Sequence, residues 1–116
     1  QGMQSETAVI HYKDLTMDTD SFTVRIGQEL VPLTTREFEI LKFLLENQGR
    51  VFTRDHLLNS IWGYDFFGDE KIVNTHIKNI RKKLGSRPGS NAYILNELGV
   101  GYRMIDEDAR SGEINE

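Results

Sequence analysis

The chain contains no cysteine, which excludes a disulfide framework, a thiolate metal site and a thiol nucleophile, and is compatible with a reducing compartment. No apolar run approaches the roughly 18–20 residues that span a bilayer, and the N-terminus lacks the charged-then-apolar pattern of a secretory signal. A membrane partner is therefore not expected, and the expected location is the cytoplasm. Catalytic constellations are lacking as well. The carboxylates are spread over turns and the tail instead of converging, and no nucleophile has an obvious base, so no enzyme activity and no cofactor are expected. His11, His56 and His76 are too scattered for a zinc site. Gly99-x-Gly101 lacks the third glycine and the strand-to-helix context of a dinucleotide loop, and reads as turn geometry.

What is present suits one soluble domain. The 116 residues are 38% hydrophobic and 28% charged, with a mean hydropathy of −0.47, enough for a self-sufficient core. The net charge of −4 hides a strong asymmetry. Residues 1–70 carry a net −6, residues 71–105 a net +6, and the tail 106–116 a net −4. Lys71, Lys78, Arg81, Lys82, Lys83 and Arg87 fall in seventeen residues without a single Asp or Glu. Because salt confines each charge's reach to about 10 Å, that local positive field survives the acidic average.

Residues 1–7 carry no pattern, and Gln1-Gly2 reads as a tag remnant or linker. From Ala8 to Leu33 short runs of β-branched and aromatic residues alternate with turns at Lys13-Asp14 and Thr19-Asp20-Ser21. Phe22, Val24 and Ile26 are expected to face one way and Thr23 and Arg25 the other; Gly27 then turns into a strand over residues 29–31. Three or four antiparallel strands are predicted. Thr34 and Glu37 form a capping box, with Leu33 and Phe38 as its hydrophobic staple, opening a helix that Gly49 ends. Thr53 caps a second helix, which stops at Gly63, and Phe52 with Leu57 forms its staple. The aromatic loop Tyr64-Asp65-Phe66-Phe67 leads to a third helix, starting near Asp69 or Glu70 and ending at Gly85, with Pro88 beyond. Strands over 93–98 and 102–105 complete the domain, expected to span 8–105, and the acidic tail 106–116 is expected to stay unfolded.

The third helix has two distinct faces. At 100° per residue, Ile77, Ile80 and Leu84 lie within about 40° of Val73 and make one apolar stripe. Lys71, Thr75, Lys78 and Lys82 occupy the opposite side, flanked by Asn74 and Asn79, and no carboxylate joins them. A merely solvated face usually mixes signs so that Glu and Lys pair. This acid-free ridge suits the DNA major groove, where lysines meet phosphates and Asn or Thr reads base edges. Two short helices followed by a basic third make a helix-turn-helix-like order, with the final hairpin beside it as a wing.

The stretches Leu33-Thr34-Thr35-Arg36-Glu37-Phe38-Glu39-Ile40-Leu41, Val51-Phe52-Thr53-Arg54, Ile61-Trp62-Gly63-Tyr64, Val73 to Leu84 and Gly99-Val100-Gly101-Tyr102-Arg103 resemble the effector domain of OmpR/PhoB-family bacterial response regulators. The resemblance runs from about Ala8 to Ile105. It implies an α+β winged helix-turn-helix: an N-terminal antiparallel sheet, three helices and a C-terminal β-hairpin wing. It also implies sequence-specific binding of double-stranded DNA at tandem half-sites, controlled by a receiver domain and sensor kinase, with the 64–67 loop able to touch RNA polymerase. A receiver domain of roughly 120 residues would not fit before Ala8, so the chain reads as an excised output domain. Lys71, Lys78 and Lys82 are assigned to phosphates, Thr75 and Asn79 to bases, and Asn74 to either a base or solvent. Arg81 is expected to pack its stem and reach a phosphate. Arg54, Trp62 and Asn96 complete the expected DNA contacts, with core packing the main role of Trp62. Two departures bear on specificity. Asn79 stands where several relatives have Arg, which favours adenine over guanine, and Glu97 stands beside the wing turn, where it would repel a phosphate that it faced. The alternative functions are a protein-docking module acting through Tyr64, Asp65, Phe66 and Phe67, or a non-specific nucleic-acid binder.

Overall fold

The N-terminal third forms a meander of four antiparallel strands: β1 (Val9–Tyr12), β2 (Leu15–Asp18), β3 (Thr23–Ile26) and β4 (Glu29–Leu30), neighbours in that order. This is a computed structural model, which describes residues 8–64, 66, 68–85, 93–97 and 99–104. The expected linker 1–7 and tail 106–116 lie outside the described residues. In β2 the period-two pattern is plain: Leu15 and Met17 are buried while Thr16 and Asp18 are half-exposed. Met17 pairs with Ile10 on one side and Val24 on the other.

Phe22 departs from its expected place. The Asp18 carboxylate accepts from the amides of Asp20 and Ser21 at 3.0 and 3.3 Å, an Asx-type closure that keeps the chain turning until Thr23. Phe22 is thus left in the turn at φ 59°, 52% exposed, with its ring stacked on Phe38 at 4.2 Å between centroids. Strand β4 is one residue shorter than expected, although the Val31 amide still donates to Val24 at 2.8 Å.

Helix α1 (Thr35–Glu46) begins with the expected capping box: Thr34 Oγ1 accepts from the Glu37 amide, and the Glu37 carboxylate accepts from the Thr34 amide at 3.0 Å. Helix α2 (Arg54–Ile61) is capped by Thr53, whose hydroxyl accepts from the His56 amide at 3.0 Å. Helix α3 (Lys71–Leu84) begins after Asp69, whose carboxylate accepts from the Lys71 amide at 2.9 Å. Val73, Ile77, Ile80 and Leu84 are its buried residues, and each such side chain contributes about 1.5–3 kcal/mol of burial free energy. This stripe packs into a core shared with Phe38, Leu41 and Leu44 of α1, Leu57 of α2, and Tyr12 and Leu15 of the sheet.

The wing hairpin is shorter than expected, formed by β5 (Leu95–Glu97) and β6 (Gly101–Arg103) with Asn96 opposite Tyr102. Tyr93 and Ile94 are drawn into the core before the strand begins, 4% and 1% exposed; the expected strand ends Leu98 and Ile105 lie outside the described residues. Phe52, in the link between α1 and α2, bridges to Tyr102 through reciprocal amide-to-carbonyl bonds of 2.9 Å. A Cβ on Gly101 would lie 1.9 Å from the Phe52 carbonyl oxygen, so this close approach requires glycine.

Candidate nucleic-acid interface

The outward side of α3 carries Lys71, Thr75, Lys78 and Lys82, all exposed, with Asn74 and Asn79 half-buried on its flanks. Burial of the opposite stripe dictates this orientation, because rotating the helix to hide the lysines would expose Val73, Ile77 and Ile80. Among the described residues none of the three lysines is in an ion pair. Arg81, Lys82 and Lys83 also occupy the last turn, where cations complement the negative end of the helix dipole. The Thr75 hydroxyl lies 3.5 Å from the Lys71 carbonyl, at the limit of hydrogen bonding.

Beside this ridge the start of α2, the flank of α3 and the wing enclose an open groove of about 280 Å³, lined by Arg54, Asn74, Asn96, Glu97, Val100 and Tyr102 among others. Three candidate DNA residues from distant parts of the chain, Arg54, Asn74 and Asn96, therefore meet at one place. Arg54 lies 3.4 Å from the Glu70 carboxylate, with both side chains more than 40% exposed, a surface pair of small net strength. Glu97, the residue expected to repel phosphate, is salt-bridged to Arg103 across the hairpin.

Other candidates have partners within the protein. Arg81 spends its guanidinium on the wing: Nε and Nη2 donate to the Ile94 carbonyl at 3.3 and 3.0 Å, and Nη2 donates to Asn96 Oδ1 at 2.5 Å. Burial lowers the Arg81 pKa, with the neighbouring Tyr102 acting in the opposite direction, but a guanidinium remains charged throughout the working pH range. Asn74 is likewise engaged, its Oδ1 accepting from the Tyr102 hydroxyl at 2.5 Å. Trp62 is half-buried, with the Arg36 guanidinium 5.3 Å from its ring centre, the His76 ring edge-on at 5.1 Å and Phe66 at 6.1 Å. His76 itself bonds through Nδ1 to the Ile72 carbonyl at 2.8 Å. In the aromatic loop Tyr64 is 84% exposed, while Phe66 folds inward against Trp62; Asp65 and Phe67 lie outside the described residues.

Sequence reasoning missed Tyr102 as a polar partner, naming it only as part of the expected last strand. A phenol following a glycine-rich turn and an asparagine on a helix flank were both visible, but nothing local connects residues 28 positions apart. Among the described residues no group of three or more His, Cys, Asp or Glu side chains could hold a metal ion, and no helix is long and apolar enough to cross a membrane.

A family model described as the C-terminal domain of transcriptional regulatory proteins matches residues 27–104. Among solved structures, the response regulator DrrB of Thermotoga maritima, an OmpR/PhoB homologue, is 37% identical with a TM-score of 0.76; the match covers 85% of this chain and 45% of DrrB. This chain thus spans under half of that relative's length. The DNA-binding domain of Klebsiella pneumoniae RstA, solved in complex with the RstA box, is 30% identical with a TM-score of 0.72, covering 84% of this chain and 96% of that domain. The DNA-binding domain of the response regulator AdeR, solved with an intercistronic region, is 33% identical with a TM-score of 0.71, covering 83% and 98% respectively.

Proposed function

The chain belongs to the OmpR/PhoB family of transcriptional regulatory C-terminal domains, and from that membership we propose that it binds double-stranded DNA sequence-specifically as the output domain of a two-component response regulator. The observation that carries this reading is the exposed, acid-free face of α3, held outward by its buried aliphatic stripe. In the proposed complex α3 enters the major groove. Lys71, Lys78 and Lys82 meet phosphates there, while Thr75 and Asn79 face base edges. The wing lies on the adjacent backbone or minor groove, Arg54 contacts the backbone, and Trp62 supports the surface from behind. The complexes of RstA and AdeR with DNA support the placement of a whole domain of this shape on a duplex. Tandem half-sites, a receiver domain and a sensor kinase belong to the same proposal for the full-length system.

Selection of duplexes from a random pool at physiological salt tests it, with Asn79→Ala and Lys82→Ala compared on the selected sites. Specific readout requires Asn79→Ala to relax one base position, at a cost of about 1–3 kcal/mol in discrimination, and Lys82→Ala to weaken all duplexes alike. Equal losses on every sequence from both changes would leave a non-specific nucleic-acid binder. A second role, contact with RNA polymerase through the 64–67 loop, is favoured by the 84% exposure of Tyr64.

A further inference from the structure

Four polar side chains join α3 to the wing in one connected set. Tyr102 is pinned at its backbone by the two 2.9 Å bonds to Phe52, and its hydroxyl reaches across to Asn74 Oδ1 at 2.5 Å. The Arg81 guanidinium lies 5.6 Å from the Tyr102 ring centre and holds the other wing strand through the Ile94 carbonyl and Asn96 Oδ1. Both wing strands are thereby tied to α3, at points about two helical turns apart. Strand β6 is tied to Asn74 in the first half of the helix, and β5 with its approach to Arg81 in the second.

We infer that Asn74, Tyr102, Arg81 and Asn96 form a latch that sets the wing at a fixed position against the reading helix, and that these side chains act on DNA by positioning the wing instead of by reading bases. The inference rests on the DNA-docking proposal for its functional consequence, but not for the latch itself. An asparagine reads adenine through both its amide oxygen and its amide nitrogen, and here the oxygen is already held by a phenol. An arginine reads guanine or clamps phosphate with its planar fork, and here the Nε–Nη2 edge of that fork is taken by a backbone carbonyl and an amide oxygen. Withdrawing either group to meet DNA would leave the Ile94 carbonyl or the Tyr102 hydroxyl without its partner. The latch fixes the span between the major-groove helix and the wing contact, so the wing is a preorganised second anchor.

The test uses the whole chain with Asn74→Ala, Tyr102→Phe and the double variant, on a duplex selected by the parent chain from a random pool. Each single change is expected to lower affinity about 3- to 10-fold, corresponding to one hydrogen bond, and the double variant to lose no more than the singles. Base preference should be unchanged at every position. Multiplied losses in the double variant, or relaxed preference at one base in Asn74→Ala, would show that Asn74 touches DNA and overturn the inference. Amide hydrogen exchange without DNA separates this from the docking proposal. Both single variants should speed exchange of the Phe52 and Tyr102 amides while leaving Ile77 and Ile80 protected. Unchanged wing exchange defeats the latch even where DNA binds, and faster wing exchange supports it even where no duplex is selected and the docking proposal fails.

Discussion

Lys83 Nζ, at the end of α3, donates to the buried Glu37 Oε1 at 2.7 Å, and the same oxygen accepts from the Thr34 amide that opens α1. One carboxylate thus caps one helix and anchors the end of another. Glu37 is only 3% exposed, whereas the Lys83 side chain keeps 35% of its surface in water.

This pair makes stability depend on pH in a definite direction. Burial alone would raise the Glu37 pKa, but the bonds from Lys83 and Thr34, with the Lys83 charge, outweigh it and hold the carboxyl below its ordinary value. A carboxylate with a lowered folded-state pKa contributes stability that is complete above the unfolded value of about 4.3 and is lost as pH falls through the folded value. Urea midpoints measured from pH 7 downward should therefore fall below about pH 4.5 partly through this group. Lys83→Ala should cost about 1–2 kcal/mol at pH 7, the partial exposure of the ammonium reducing the full cost of breaking a buried pair, and should flatten that part of the pH profile. A Lys83→Ala variant with the parent's stability and profile would contradict the assignment.

The two faces of α3 should separate stability from binding. Ile77 is 1% exposed, and Ile77→Ala should cost about 2–5 kcal/mol in urea unfolding. Lys78→Ala should leave stability within about 0.5 kcal/mol while lowering the slope of log affinity against log salt by about 0.9 for each phosphate that the lysine neutralises. A Lys78→Ala slope equal to the parent's would remove that residue from the DNA-binding set.

Tyr64 and Phe66 make opposite predictions for the loop after α2. Tyr64→Ala, at an 84% exposed position, should leave folding and DNA affinity intact while reducing transcription by RNA polymerase from a bound promoter. Phe66→Ala removes packing against Trp62 and should lower stability, by about 1–3 kcal/mol for a half-buried aromatic ring. Transcription unchanged by Tyr64→Ala, measured with purified polymerase, would make the loop purely structural.

Helix starts, helix faces and turn chemistry were decided within the sequence, because their causes act over a few residues. Thr34 needs only Glu37 three positions on, and Val73, Ile77, Ile80 and Leu84 align by the helical period alone. The acid-free ridge was legible for the same reason: once the aliphatic stripe must be buried, the lysines have one direction left. Phe22 was misplaced because alternation continues through a turn unless one counts the Asp18 carboxylate closing it. What the polar groups do once they face one another belonged to the tertiary structure. Arg81 meets Asn96 across 15 residues, Asn74 meets Tyr102 across 28 and Glu37 meets Lys83 across 46. Residue type permits each of these groups to bind DNA, solvent or another side chain. Only the packing of the wing and the helices, driven by their buried apolar faces, brings one of those partners within hydrogen-bond reach.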